Sequence, residues 1–283
     1  MHYIFWVISL PLLINIHLRT YKSGYLPPFT GGLVRGFLLD VIRKNNPKLA
    51  SELHKPHATR PFSIKPLRPK NKKMVVIHGG WKIEENDLLI FSIGILDDSL
   101  EAEIFNHIID QETVTFSKLS FSVEKIEVRR KKYRDLLKAL YNRRIGIEFK
   151  TPTIFSMKGT NIEYLFPEPS RFFGNLISLW NTFAPRDLVL PEKSLMDWIK
   201  EAIRVKSYNL KTREVPIENV KITGFKGTIE YVVIEGREQG LEMLSPLLEF
   251  VQFSNVGIKR AYGLGSVIVT DLTKKPKETN KAQ

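Results

Sequence analysis

From Ile14 onward apolar and polar residues alternate, with Ile14, Ile16 and Leu18 set against Asn15, His17 and Arg19. Period-two alternation after the aromatic and β-branched run from Tyr3 to Ile14 predicts a long, largely buried first strand. The prolines and glycines of YKSGYLPPFTGG predict a loop, and the spacing of apolar positions from Leu33 to Lys44 predicts an amphipathic helix. Asn46 before Pro47 reads as an N-cap with proline in the first turn, opening a short helix through Leu53. Pro56, Pro61, Pro66 and Pro69 then divide the chain into extended pieces. Strands are predicted over Met74–Ile83 and Asp87–Leu96, a helix over Ser99–Ile109, and strands over Val114–Leu119 and Phe121–Val128.

The stretch RRKKYRDLLKALYNRR, Arg129 to Arg144, carries eight basic residues and one acid and reads as a bridge, either an exposed linker helix or an extension of a charged track. Beyond it come the strand IGIEFKTPTIF, a short strand near Tyr164, and helices over Ser170–Phe183 and Ser194–Val205. Strands near Val220 and at Gly227–Ile234, a helix over Glu238–Phe253 and a last strand over Ser266–Leu272 complete the pattern. The tail KKPKETNKAQ is almost free of apolar residues and is expected to be disordered. The first half follows the order β, α, β, β, α, β of a ferredoxin-like split unit. The chain therefore reads as α+β, with a first domain over residues 1–128, a bridge over 129–144, a second domain over 145–273 and a tail over 274–283.

Composition narrows the function classes. The 283 residues carry a formal charge of +13, with 43% apolar and 26% charged residues, a folded composition whose surface attracts polyanions. No cysteine is present, which removes disulfide scaffolds, thiolate metal sites and cysteine nucleophiles. The apolar run from Tyr3 to Ile14 is too short for a spanning helix, contains Ser9 and Pro11, and follows no basic residue, so a cytoplasmic protein with no membrane partner is expected. Charge is also segregated. Arg43 to Lys73 holds ten Lys/Arg against Glu52 alone, whereas Glu84 to Glu112 holds nine acids and no Lys or Arg. That contrast predicts one face that tracks phosphates.

A second signal is VGIKRAYGLGSVIV, Val256 to Val269, where Gly257, Gly263 and Gly265 permit close backbone approach beside Lys259 and Arg260. The loop follows a helix and opens a strand, the reverse of a dinucleotide or P-loop fingerprint. With PPFTGGLVRGFL, NPKLASELHK, RPFSIKPL, IEFKTPTIF, PEPSRFFGNLISLWN and GFKGTIEYVV it forms an ordered set covering most of the chain. The set resembles the CRISPR-associated Cas6 family of the RAMP superfamily, endoribonucleases that process repeat RNA. The resemblance implies two tandem ferredoxin-like (RAMP or RRM-like) domains, a C-terminal glycine-rich loop that helps hold precursor crRNA, and no metal or other cofactor. Other CRISPR effector subunits and a second copy of the chain are further candidate partners.

The implied reaction is metal-independent transesterification, with ribose 2′-OH attack giving a 2′,3′-cyclic phosphate and a 5′-OH. Histidine suits the proton transfer and Lys or Arg the phosphorane charge. Of six histidines, His2 and His17 fall on the first strand, and His78 and His107 have no basic companions; His54 and His57 lie in the basic block. The segment NPKLASELH carries the family's histidine at His54, with Arg60 following as its basic companion and His57 as second choice; two histidines alone make no zinc site. The family's tyrosine in the first helix is missing from LVRGFLLDVIRK, leaving Tyr21 or Tyr25 as substitutes, or a non-cleaving RAMP-type RNA-binding subunit as the alternative function. RNA contacts are assigned to Arg35, Lys44, Lys65, Lys226, Lys259, Arg260 and Tyr262, with Gly257, Gly263 and Gly265 shaping the loop. Phe172, Phe173 and Trp180 read as core residues.

Overall fold

The computed structural model describes residues 11–54, 59–71, 73–77, 79–156, 162–218 and 220–273. Expectations for the run before Pro11, the tail from Lys274, and His2, His57 and His78 fall outside them.

Strand β1 (Leu12–Thr20) buries Leu12, Ile14, Ile16 and Leu18 on one face, as the alternation requires. After the short β2 (Gly24–Leu26) come α1 (Gly31–Asn45) and α2 (Pro47–His54). Asn46 makes the corner between the helices. Its backbone N–H donates to the Ile42 carbonyl at 2.7 Å, closing α1, and its Oδ1 accepts from the Leu49 N–H at 3.0 Å, opening α2. Next follow β3 (Phe62–Pro69), β4 (Val75–Ile77), β5 (Gly80–Ile83), β6 (Leu88–Ile95), α3 (Asp98–Ile109), β7 (Thr113–Phe116) and β8 (Leu119–Arg130). An antiparallel sheet of order β3-β6-β1-β8-β7 results, with Ile14 opposite Ile93 on one side and Val128 on the other.

One strand differs from expectation. Residues 75–77 and 80–83 pair with each other and with β2 in a separate small ribbon, and β3 takes the sheet position instead. Two prolines are tolerated in β3 because it is an edge strand, and its register slips between Lys65 and Arg68, around Pro66.

The second half contains α4 (Tyr133–Leu136), β9 (Arg144–Thr153), the two-residue strands β10 (Phe155–Ser156) and β11 (Glu163–Tyr164), α5 (Pro169–Phe183) and α6 (Glu192–Ala202). It ends with β12 (Ile203–Ile217), β13 (Val220–Val233), α7 (Leu241–Ser254) and β14 (Val267–Asp271). The sheet order is β12-β13-β9-β14, again antiparallel. Contrary to expectation the helix over Ser194 stops at Ala202, and the next fifteen residues are strand. Most of β12 is open to solvent, so no apolar alternation marks it. In each half the four principal strands stand in the order second, third, first, fourth. The fold is two ferredoxin-like units, as the pattern predicted for the first half and the resemblance implied for both.

The two cores interlock. Leu13 and Leu96 from the first half belong to the second core, and Ala261 of the glycine loop belongs to the first. Gly94 on β6 admits the backbone of α7: a Cβ there would stand 2.0 Å from the Phe253 carbonyl oxygen. The same oxygen accepts from Ser63 Oγ at 2.5 Å.

The bridging segment is pinned at two buried side chains while its charged residues stay at the surface. Tyr133 and Leu136 are buried, and the Tyr133 ring meets Trp180 edge-on at 5.0 Å. Arg130 pairs with Glu101, Lys131 with Glu249, Arg134 with Asp187, Lys138 with Asp135, and Arg144 with Glu230. These bonds leave that stretch little free charge for a phosphate track. The acidic block has local reasons too: Asp97 caps α3 by accepting from the Ser99 N–H at 2.9 Å, and Asp98 and Glu101 fill its first turn. Phe172, Phe173 and Trp180 are fully buried, as expected.

Candidate active site

A cleft of about 600 Å³ opens where the halves meet. The first half contributes Arg35 from α1, His54 from the end of α2, and Thr59 and Arg60 from the approach to β3. Asn175, Ser178 and Leu179 of α5 and the loop residues Gly257–Tyr262 form the other side.

The glycine loop is held by contacts that leave room for nothing larger than hydrogen at two places. At Gly265, φ is +71° and a Cβ would stand 1.7 Å from the Val256 carbonyl oxygen. Where α1 begins, a Cβ on Gly31 would stand 1.8 Å from the Tyr262 carbonyl oxygen, so Gly31 lets the loop seat against the first half. Gly257 and Gly263 also take positive φ, and the Gly257 N–H donates to Asn175 Oδ1 at 2.8 Å. Lys259 sits in the left-handed region, and its side chain is exposed at the turn.

Inside the cleft, the Arg35 guanidinium lies 4.4 Å from the Tyr262 ring centroid and the Lys259 ammonium 5.9 Å from it. The Tyr262 hydroxyl donates to Glu218, at the tip of the β12–β13 hairpin, at 2.5 Å. Burial and that hydrogen bond push the phenol pKa up, so it stays protonated at neutral pH. His54 is pushed down from the usual imidazole value by loss of solvent, then by the positive charges of Arg35, Arg43 and Arg60. The cleft thus holds a histidine biased toward its neutral form among fixed cations. That arrangement can accept a proton and stabilise a developing anion.

His54, Arg60, Arg35, Gly257, Lys259 and Tyr262 are brought together as predicted positions, but others are not. Lys44 is exposed at the end of α1, and Lys226 lies on β13 opposite Lys211. Lys65 on β3 is not among the residues lining the cleft, and burial and then Arg129 and Arg68 push its ammonium down to about 8. Arg260 is buried, not presented to solvent: its Nη1 donates to the Ser254 carbonyl at 2.7 Å and its Nη2 to the Arg60 carbonyl at 3.1 Å. Burial pushes this guanidinium down to about 10, still protonated at neutral pH. Gly263 packs against Pro66 and Gly31 at the back of the loop. Tyr21 and Tyr25 lie outside the cleft lining, and Tyr262 is the tyrosine within it.

Thr59, Asn175, Ser178 and Glu218 were missed. Asn175 and Ser178 stand one turn apart on the polar side of an otherwise apolar helix, a signal that was available. Glu218 had none, because β12, the first strand of the hairpin that carries it, shows no apolar alternation.

Comparison with known proteins agrees with this geometry. Residues 147–267 match the family model described as CRISPR-associated endoribonuclease Cas6. Over that stretch the chain is similar to the Cas6 endoribonucleases. A Cas6 of Streptococcus thermophilus is 23% identical over 82% of this chain and 88% of that protein. One of Mycobacterium tuberculosis is 27% identical over 48% of this chain and 41% of its own length. Among solved structures, a Thermus thermophilus Cas6 in a product complex superposes with a TM-score of 0.74 at 21% identity, covering 93% of this chain and all of that one. A Cas6 in a substrate-mimic complex gives 0.67 at 22% identity, over 93% of this chain and 100% of that one. The Cas6 fold is thus shared along nearly the whole chain. No helix among the described residues is long and apolar enough to cross a membrane.

Proposed function

We propose that this protein cleaves CRISPR precursor RNA within the repeat, in the cleft between its two halves. His54 takes the proton of a ribose 2′-OH, whose oxygen attacks the adjacent phosphorus. The O2′–P bond forms as the O5′–P bond breaks, and the expelled 5′ oxygen takes a proton from water. The products are a 2′,3′-cyclic phosphate and a 5′-OH. Arg60, Arg35 and Lys259 stabilise the charge gathered on the phosphorane. Arg35 Nε is buried with no hydrogen-bond partner among the described residues, so a phosphate oxygen arriving there would relieve an unsatisfied donor. Tyr262, its phenol protonated and its ring flanked by cations, stacks on an unpaired base.

The observation that carries this reading is the neutral-biased His54 among Arg35, Arg43 and Arg60. Because the nucleophile belongs to the RNA itself, the residues named supply the base and the counter-charge without a metal ion.

Two RNAs test it: a cognate repeat and the same repeat with a 2′-deoxy nucleotide at the scissile position, both with EDTA. Cutting of the first and tight binding without cutting of the second is the expected result. Loss of cutting in EDTA, restored by a divalent ion, would overturn the metal-independent mechanism. Binding with no cutting of either RNA would indicate a non-cleaving RAMP-type subunit. His54→Ala is expected to slow cleavage about 10²- to 10⁴-fold with little change in affinity, and cutting at the normal rate would remove His54 from the reaction.

A further inference from the structure

The buried Arg260 has no acidic partner among the described residues; its guanidinium is spent on two backbone carbonyls from opposite halves of the molecule. One is that of Ser254, at the end of α7, where a cation meets the negative end of the helix. The other is that of Arg60, two hundred residues away. Beside it, Asn255 Nδ2 donates to the Ile64 carbonyl at 2.8 Å and to the Leu264 carbonyl at 3.1 Å. The loop therefore grips the chain on both sides of Phe62, which is itself fully buried. Residues 59 and 60 belong to no helix or strand, so the ladder that fixes the rest of β3 does not reach them. Burial, and then the charge of Arg35, push the Arg60 guanidinium pKa down, while Tyr262 pulls it up.

We infer that Arg260 is a positioning residue: it holds the Arg60 backbone so that the Arg60 side chain stays in the cleft. This rests on the role proposed above for Arg60. The fork of a guanidinium is what the task needs, since two separate nitrogens must reach two carbonyls that belong to different segments. A lysine keeps the charge but offers one nitrogen at the end of a flexible stem.

The test is a cycle of four proteins: wild type, Arg60→Ala, Arg260→Lys and the double variant. Each is measured for single-turnover cleavage of a repeat RNA, for affinity to the 2′-deoxy repeat, and for melting temperature. If Arg260 acts through Arg60, Arg260→Lys cuts about 10- to 100-fold more slowly while its affinity stays within a few-fold of wild type. The double variant then cuts no more slowly than Arg60→Ala alone. A merely structural Arg260 gives losses that multiply, with affinity and melting temperature falling together. Multiplying losses, or normal cutting by Arg260→Lys, would overturn the inference and leave the proposed reaction standing. A wild type that does not cut would overturn both. Arg260→Gln serves as a second variant, and failure of both to fold would assign Arg260 to the fold alone and end the inference.

Discussion

A histidine among guanidinium groups gives up its proton easily, because every neighbouring cation penalises the imidazolium. His54 has Arg35, Arg43 and Arg60 around it, and partial burial pulls in the same direction. A base must be neutral to act, so the cleavage rate should rise with pH and reach its plateau below the value set by an ordinary histidine. Removing one cation reverses part of the shift. In Arg60→Ala the His54 titration, followed by NMR of the imidazole protons, is expected to move upward, and an unchanged titration would remove Arg60 from its surroundings. Lys65 makes the opposite kind of prediction. Its folded pKa of about 8 lies below the model-peptide value near 10.4, so between those pH values the unfolded chain binds more protons. Stability should therefore rise with pH across that window, and Lys65→Met should abolish the rise while stabilising the protein at pH 7. Equal pH dependence of wild type and variant would count against this account.

Two glycines in the same chain should respond oppositely to alanine. Gly36 lies within α1 with open space where a Cβ would go, so Gly36→Ala should stabilise by about 0.5–1 kcal/mol. Gly265→Ala combines a positive φ with a collision against the Val256 carbonyl and should cost more than about 1–3 kcal/mol. Thermal melting of the two variants tests both signs. Elements of this kind divide into those legible in the sequence and those that were not. The Asn46 corner was readable because a cap and a proline are local signals. The placement of β3 was obscured by Pro66 and Pro69, since only the three-dimensional position of an edge explains why prolines are harmless there. The β12 strand was hidden for a different reason: its ribbon exposes both faces, and its Lys, Arg, Thr and Glu leave no period to read. In the cleft, His54 and Arg60 could be read from the basic block and the family resemblance. The burial of Arg260 could not, because nothing local distinguishes an arginine that points inward from its exposed neighbour Lys259.

Across the whole molecule, the charge counted along the sequence overstates the charge free to meet a phosphate. Much of the excess between Arg129 and Arg144 is answered by acids from both halves. The cations of the cleft are therefore expected to dominate the salt dependence of repeat-RNA binding. Replacing Lys259 by Ala should reduce the slope of log affinity against log salt by about 0.7–0.9. Lys138→Ala, which removes a lysine already paired with Asp135, should leave that slope alone. Equal effects of the two would mean that RNA follows the bridging segment after all. The span between Arg60 and the loop that grips it also has a meaning in time. At about 5–20 residues per second, some ten to forty seconds of synthesis separate the two. For that interval Arg35, His54 and Arg60 have been made and the loop residues that line the same cleft have not. The candidate site is thus completed only by the late arrival of the glycine loop, and a growing chain carries its parts unassembled.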